Sequence, residues 1–337
     1  MSRSPFRIAE LYIRSFRGID ELHLTLPQER AQEGKWGGLA ILAGDNGCGK
    51  TSVLEAILLV LGKQDLLPAD TAPLDEQVRF GAADFLIEAV IQSTSGEQRT
   101  LRVDRATAEK ATLEADVQYF SARREPESLG ETPDPRGARS VREARRVVEL
   151  KKRLVNMYYR RLRDGKGGQM PEDSPFLKVQ RFIQRFLGED HILDILPVSN
   201  DPGSDSEVIV RRAELPGDVT SLAMARRAAA EGRSIPPIIP IDRLSSGQVA
   251  LFSFAGPLVF RDAPLDIVLI DEPEQHMHVQ WQRHIVDALH DLAPESQLIV
   301  ATHSLDVLDS ALSSERILLV RDDDPRARLP PDLAAAE

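Results

Sequence analysis

The chain has 337 residues, of which 42% are hydrophobic, a formal net charge of −11 and a single cysteine. That apolar fraction supports a sizeable core in one large or two ordinary domains, and the lone Cys48 excludes an intrachain disulfide and fits a reducing compartment. No apolar run reaches the roughly 20 residues of a membrane span, MSRSPFRIAELYIR is too charged for a signal peptide, and the acidic balance excludes indiscriminate coating of nucleic acid; a cytoplasmic protein without a membrane partner is expected.

In chain order, 7-RIAELYIRSFRGI-19 alternates roughly and 21-ELHLTL-26 strictly, so both are predicted strands. A polar loop with Gly34, Gly37 and Gly38 leads to 39-LAILA-43, a buried strand, then to 44-GDNGCGKTS-52 and an apolar helix, 52-SVLEAILLVLG-62, stopped by Gly62. The spacing G-x-x-x-x-G-K-T describes a phosphate cradle: glycines let successive N–H groups curl round an anion at a helix N-terminus. The cradle comprises Gly44, Asn46, Gly47, Cys48, Gly49, Lys50, Thr51 and Ser52, with Lys50 reaching the β- and γ-phosphates, Thr51 ligating Mg²⁺ and Cys48 a small filler. Two further strands, 84–92 and 98–104, are joined by the turn STSGE; with a third run, 117-VQYFSAR-123, they predict an antiparallel sheet beside the phosphate-loop sheet.

After Arg124 a loop rich in proline, glycine and charge gives way to VREARRVVELKKRLVNMYYRRLR, with helical spacing that puts Val141, Ala144, Val147, Leu150, Leu154 and Met157 on one face. From Arg136 to Arg163 there are eleven Lys or Arg residues against two acids, a local excess whose face, with Arg145, Arg146, Lys151 and Lys152, is a candidate surface for nucleic acid or an acidic partner. A second helix is predicted over 174-SPFLKVQRFIQRFLG-188, with Ser174 as N-cap, Pro175 at N1 and Gly188 as stop. No heptad run makes this insertion a long coiled coil. The strand-like 208-VIVRR-212 is read as the return to the nucleotide-binding part, giving boundaries of 1–124 and 205–323 for the two lobes of a head, 125–204 for the insertion and 324–337 for a tail.

Three motifs follow the phosphate loop in order. The first, 244-LSSGQ-248, precedes an apolar helix and offers a second anion site built from N–H groups and a hydroxyl. In 266-DIVLIDEPE-274 a buried parallel strand delivers two carboxylates at its C-terminal edge: Asp271 suits Mg²⁺, and Glu272 can orient a water. The third, 297-QLIVATHS-304, is another buried strand, bringing His303 to the same edge for a γ-phosphate or a catalytic water.

Together these motifs resemble the ATP-binding-cassette ATPases, and within them the group of RecF, the SMC proteins and the overcoming-lysogenisation-defect ATPases. IRSFRGIDELHLTL is similar to the strand pair opening those proteins, GDNGCGKTS to their phosphate loop, and DEPEQHMH to the DEPE-x-H-x-H run of the small overcoming-lysogenisation-defect members. The resemblance implies an α/β fold: a P-loop NTPase head of ATP-binding-cassette type with an antiparallel β-subdomain and a helical insertion. It also implies an ATP sandwich in a homodimer or higher homo-oligomer, Ser245, Ser246, Gly247 and Gln248 of one head closing on ATP and Mg²⁺ held by Lys50, Thr51, Asp271, Glu272 and His303 of the other. Glu272 would be the water-orienting base and His303 its catalytic companion; Ser246, standing where the signature usually has its first glycine, implies slower turnover. Gln92 and Gln118 are both candidates for the Mg²⁺-sensing glutamine, and His276 and His278 are read as a loop meeting the partner head rather than as a metal pair. No nuclease domain is expected after the head motifs, so the expected role is that of a sensor ATPase acting through a separate effector, with a RecF-like DNA ATPase and a nucleotide-locked scaffold as alternatives.

Overall fold

The computed structural model describes residues 5–28, 37–108, 113–122, 141–164, 170–201, 203–261 and 263–320, the side chains of 141–144 excepted. The expected loop 125–140, the Gly34 region and the tail from 324 lie outside the described residues.

The alternating runs at the start zip into an antiparallel sheet. β1 (Phe6–Phe16) pairs with β2 (Ile19–Thr25), Phe16 opposite Ile19, and on its other side with β4 (Leu86–Ser93), which pairs in turn with β5 (Gln98–Asp104). The runs buried at every residue form a different sheet. β3 (Leu39–Ala43), β10 (Ile267–Asp271) and β11 (Gln297–Thr302) lie parallel, flanked by β12 (Arg316–Leu318) and β6 (Val117–Phe120), in the order β12-β3-β11-β10-β6. Parallel pairing brings the C-terminal ends of all five strands to one edge, where α/β sheets place their ligands.

β6 corrects one expectation. The sequence pattern of 117–123 predicts a strand of the antiparallel sheet, but Val117–Phe120 aligns with Ile267–Ile270 in the parallel one. Val117, Tyr119 and Phe120 are all buried, and four residues are too few for periodicity to separate a half-buried strand from a fully covered one.

Helix α1 (Lys50–Val60) explains why its sequence is apolar all round. It packs against β1, β4 and β5 on one side and β10 and β11 on the other, so it has no solvent face to make polar. Two buried polar side chains tie the sheets together: Gln297 donates to the Ile8 carbonyl at 2.9 Å and accepts from the Ile8 N–H at 2.9 Å, and Asp266 accepts from Phe6 and Asp116 N–H at 3.2 and 2.8 Å.

The chain divides into two compact units, Met1–Glu125 with Asp262–Glu337, and Pro126–Arg261. The second holds α2 (Val141–Arg163), α3 (Pro175–Leu187), α4 (Leu222–Ala230), α5 (Ser246–Val259) and a sheet of β7 (Ile192–Pro197), β8 (Ser206–Arg211) and β9 (Ile238–Pro240). The segment 208–212, read as the return to the nucleotide-binding part, is therefore the middle strand of a separate antiparallel sheet. Its partners β7 and β9 are short and carry little alternation, which hid them in the sequence. The chain re-enters the first unit only at Asp262, and α6 (Val279–Leu292) and α7 (Leu305–Asp309) complete that unit. Among the described residues no helix is long and apolar enough to cross a membrane.

Candidate nucleotide site

Between β3 and α1 the chain turns through Gly44, Gly47 and Gly49, at φ +154°, +81° and +100°. Gly44 is required sterically: a Cβ there would lie 2.3 Å from the Leu319 carbonyl oxygen and 2.7 Å from Cys48 Sγ. Cys48 thus packs under the loop, in keeping with a filler role. Asn46 and Gly47 are exposed at the loop's tip, and Thr51 and Ser52 open α1 half-buried. Lys50, nearly buried, donates from Nζ to the carbonyls of Gly44 at 2.7 Å and Asp45 at 3.0 Å, so its ammonium sits inside the loop's curl.

β10 ends beside this helix. Thr51 Oγ1 donates to Asp271 Oδ2 at 2.9 Å, so the hydroxyl and the carboxylate converge on one point. Burial, with the charges of Glu272 and Glu55 adding to it, pushes the Asp271 carboxyl up to about 7 despite the Thr51 hydrogen bond and the Lys50 charge. A carboxylate made that costly beside a hydroxyl is a hard-oxygen donor set that suits Mg²⁺, which would relieve the penalty.

Glu272 departs from strand geometry at once: its φ is +50°, its N–H still donates to the Ala301 carbonyl at 2.8 Å, and its side chain swings toward β11. There His303 Nδ1 lies 3.3 Å from Glu272 Oε1, and Gln275 Nε2 donates to Glu272 Oε2. The organiser of this corner is Glu274, which sequence reasoning passed over. Its Oε1, in a nearly buried side chain, accepts from Thr302 Oγ1 at 2.6 Å, His303 N–H at 3.2 Å and Ser304 N–H at 3.3 Å, and it lies 3.6 Å from His303 Nδ1. The only sequence signal was the last acid of DEPE, which reads equally well as a solvated turn.

His276 has φ +65°, and His278 is the N-cap of α6, its ring accepting from Gln280 N–H at 3.3 Å. No group of three potential metal ligands occurs among the described residues. Neither glutamine reaches the strand edge. Gln92 pairs with Arg7 and Gln98 in the antiparallel sheet, and Gln118 aligns with Val268, three residues short of Asp271. Extending the register of Phe120 against Ile270, the residue at the level of Asp271 is Ser121.

Ser245, Ser246, Gly247 and Gln248 lie in the second unit at the start of α5. Ser245 caps the helix by accepting from Gln248 N–H at 3.4 Å, while Gln248 Oε1 accepts from Ser245 N–H at 3.0 Å, a complete capping box. Of the basic residues, Arg145 and Lys152 are exposed and Arg146 is half-buried. Lys151 is directed inward, donating to Glu207 at 2.7 Å and Asp242 at 3.2 Å. Burial alone would lower its pKa, but these two carboxylates outweigh it and raise it.

A glycine loop between a buried parallel strand and an enclosed helix, with acidic and histidine-bearing strand ends converging beside it, is an arrangement suited to a nucleoside triphosphate. The chain belongs to the family described as "AAA domain, putative AbiEii toxin, Type IV TA system", whose model matches residues 39–309. It is 35% identical over 174 residues to the "Retron Vc95 probable ATPase" of Vibrio cholerae serotype O1 biovar El Tor, covering 47% of this chain and 28% of that protein. It is 31% identical over 117 residues to the "DNA replication and repair protein RecF" of Anaeromyxobacter dehalogenans (strain 2CP-C), covering 35% of this chain and 28% of RecF. The aligned part is thus little more than a quarter of either relative's length. A solved SMC head bound to the C-terminal winged-helix domain of ScpA is similar at 14% identity and a TM-score of 0.49, over 90% of this chain and 91% of that one.

Proposed function

We propose that this protein binds and hydrolyses ATP with Mg²⁺, pairs head-to-head around the nucleotide, and serves as the sensor or regulatory ATPase of a bacterial defence-type system whose output lies in a separate effector. The observation that carries the hydrolytic reading is the convergence of Thr51 with Asp271 and of Glu272 with His303 at one sheet edge. In this reading Thr51 and Asp271 would hold Mg²⁺, which supplies charge stabilisation for the transferring phosphoryl group. Lys50 leaves the loop carbonyls for the β- and γ-phosphates, and the N–H groups from Gly47 to Thr51 receive the remaining phosphate oxygens. Glu272 accepts a proton from the attacking water, whose position His303 fixes through the Glu272 and Glu274 carboxylates. Ser245 and Gly247 of a second copy close the γ-phosphate side, where the N-terminus of α5 favours an anion.

The defence role rests on the family description and on the likeness to a retron ATPase. The RecF likeness supports the alternative of a DNA-directed ATPase. Steady-state ATP hydrolysis with and without duplex DNA at two salt concentrations, with Glu272→Gln as blank, separates them. A rate indifferent to DNA supports the partner-gated reading, stimulation that fades with salt supports the DNA-directed one, and no rate above the blank overturns hydrolysis.

A further inference from the structure

Within the second unit, the far end of α5 meets α2 at a cavity of about 450 Å³. The helices cross tightly there: a Cβ on Gly256 would come within 3.3 Å of Leu150 Cβ and 3.7 Å of the Arg146 carbonyl oxygen, so a side chain at 256 would crowd the crossing. Among the described residues four arginines line the cavity, Arg145, Arg146, Arg153 and Arg261, with one acid, Glu149. The acid is already matched, because Arg153 Nε donates to it at 2.8 Å. The apolar wall comes from Leu150, Pro257 and Phe260.

We infer that this cavity is a binding site for a nucleoside phosphate, either a free nucleotide or the phosphorylated end of a single strand. The lining basic residues are all arginine, the side chain whose planar fork grips phosphate through paired hydrogen bonds and whose face stacks on a base. Two of them are held in place by main chain: Arg153 Nη1 donates to the Phe260 carbonyl at 2.8 Å and Arg261 Nε to the Pro257 carbonyl at 2.7 Å. Those bonds also satisfy carbonyls at the end of α5, offsetting the negative end of the helix that would otherwise repel an anion. The volume lies within the range of small-ligand pockets, and Phe260 and Pro257 give a ring something to lie against. An acidic peptide would use the charge and leave the apolar wall idle.

The site has a mechanical consequence that rests on the proposed ATPase reading. α5 carries the signature Ser245 at its start and the cavity at its end, so an occupant bears on the helix that would close over ATP.

The test uses the full chain and a 5′-phosphorylated thymidine dinucleotide labelled at its 3′ end, followed by fluorescence polarisation without ATP or Mg²⁺. Binding is expected to weaken at least about tenfold without the 5′-phosphate, and by about that factor in Arg146→Ala and Arg261→Ala. Arg145→Glu, at an exposed position, gives the same loss with an unchanged melting temperature, which keeps the test decisive where another variant fails to fold. Lys50→Ala retains binding. Competition by thymidine monophosphate identifies a free nucleotide, and competition only by phosphorylated oligomers identifies a strand end. No binding, equal affinity without the phosphate, loss on Lys50→Ala, or equal displacement by a glutamate-rich peptide overturns the proposal. Retained binding in an ATPase-dead Glu272→Gln variant separates this site from the hydrolytic reading.

Discussion

Asp271 sets the pH behaviour of the site. Its carboxyl is raised from 3.8 to about 7 in the folded protein, so its contribution to stability is complete below pH 4 and is lost as pH climbs to about 7. Asp271→Asn should therefore stabilise the nucleotide-free protein more at pH 8 than at pH 4, read as the difference in unfolding free energy between the two variants. The same proton must leave before a cation can bind, so Mg²⁺ affinity should fall about tenfold per unit below pH 7, measured by titration calorimetry with a non-hydrolysable ATP analogue. Glu272→Gln should leave ATP binding intact and lower the hydrolysis rate by a factor of about 10² to 10⁴; a rate within a few-fold of wild type would remove Glu272 from the chemistry. A half-buried Arg17 forms an ion pair with Glu55 between the first hairpin and α1, with Glu55 fully covered. Arg17→Met removes that guanidinium and should cost about 1 to 3 kcal/mol, part of it restored by adding Glu55→Leu. The convergence of Thr51 with Asp271 and of Glu272 with His303 was legible, because their motifs put these residue types at strand and helix ends. Glu274 was not, since its three donors from 302–304 meet it only after β10 and β11 pair.

At the scale of the element, the caps were the clearest text in the sequence. Ser174, Pro175 and Gly188 bound α3 as predicted, Ser174 accepting from Leu177 N–H at 3.3 Å. Ser174→Ala and Ser245→Ala should each cost about 1 kcal/mol in chemical denaturation, and only the second should also weaken ATP-dependent self-association. Helix α2 spans the predicted residues, yet its amphipathic pattern did not disclose that Lys151 faces Glu207 and Asp242. Lys151→Met should accordingly lower the melting temperature, whereas Lys152→Met, at an exposed position, should not. Short elements with little alternation, β6, β7 and β9, were misplaced or missed: a strand of three to six residues without a clear pattern takes its address from its neighbours.

Over the whole molecule, the signature serine and the phosphate loop belong to different units, so the proposed sandwich joins unlike parts of two copies. Glu272→Gln should run as a dimer in light scattering with ATP and Mg²⁺ and as a monomer without them, while a Ser245→Ala and Glu272→Gln double variant stays monomeric in both. The order of the parallel sheet also carries a consequence for biosynthesis. β3 and β6, its only strands among the described residues of the first part of the chain, are not neighbours; β11 and β10 fill the gap between them, and β12 covers the outer side of β3. A nascent polypeptide that has emerged only as far as residue 261 therefore holds two isolated strands of this sheet and a glycine loop lacking both Asp271 and the Leu319 carbonyl that crowds Gly44. The loop thus gains Asp271 and the Leu319 carbonyl as neighbours only after residues beyond 261 have been made, and the sheet cannot be completed before then.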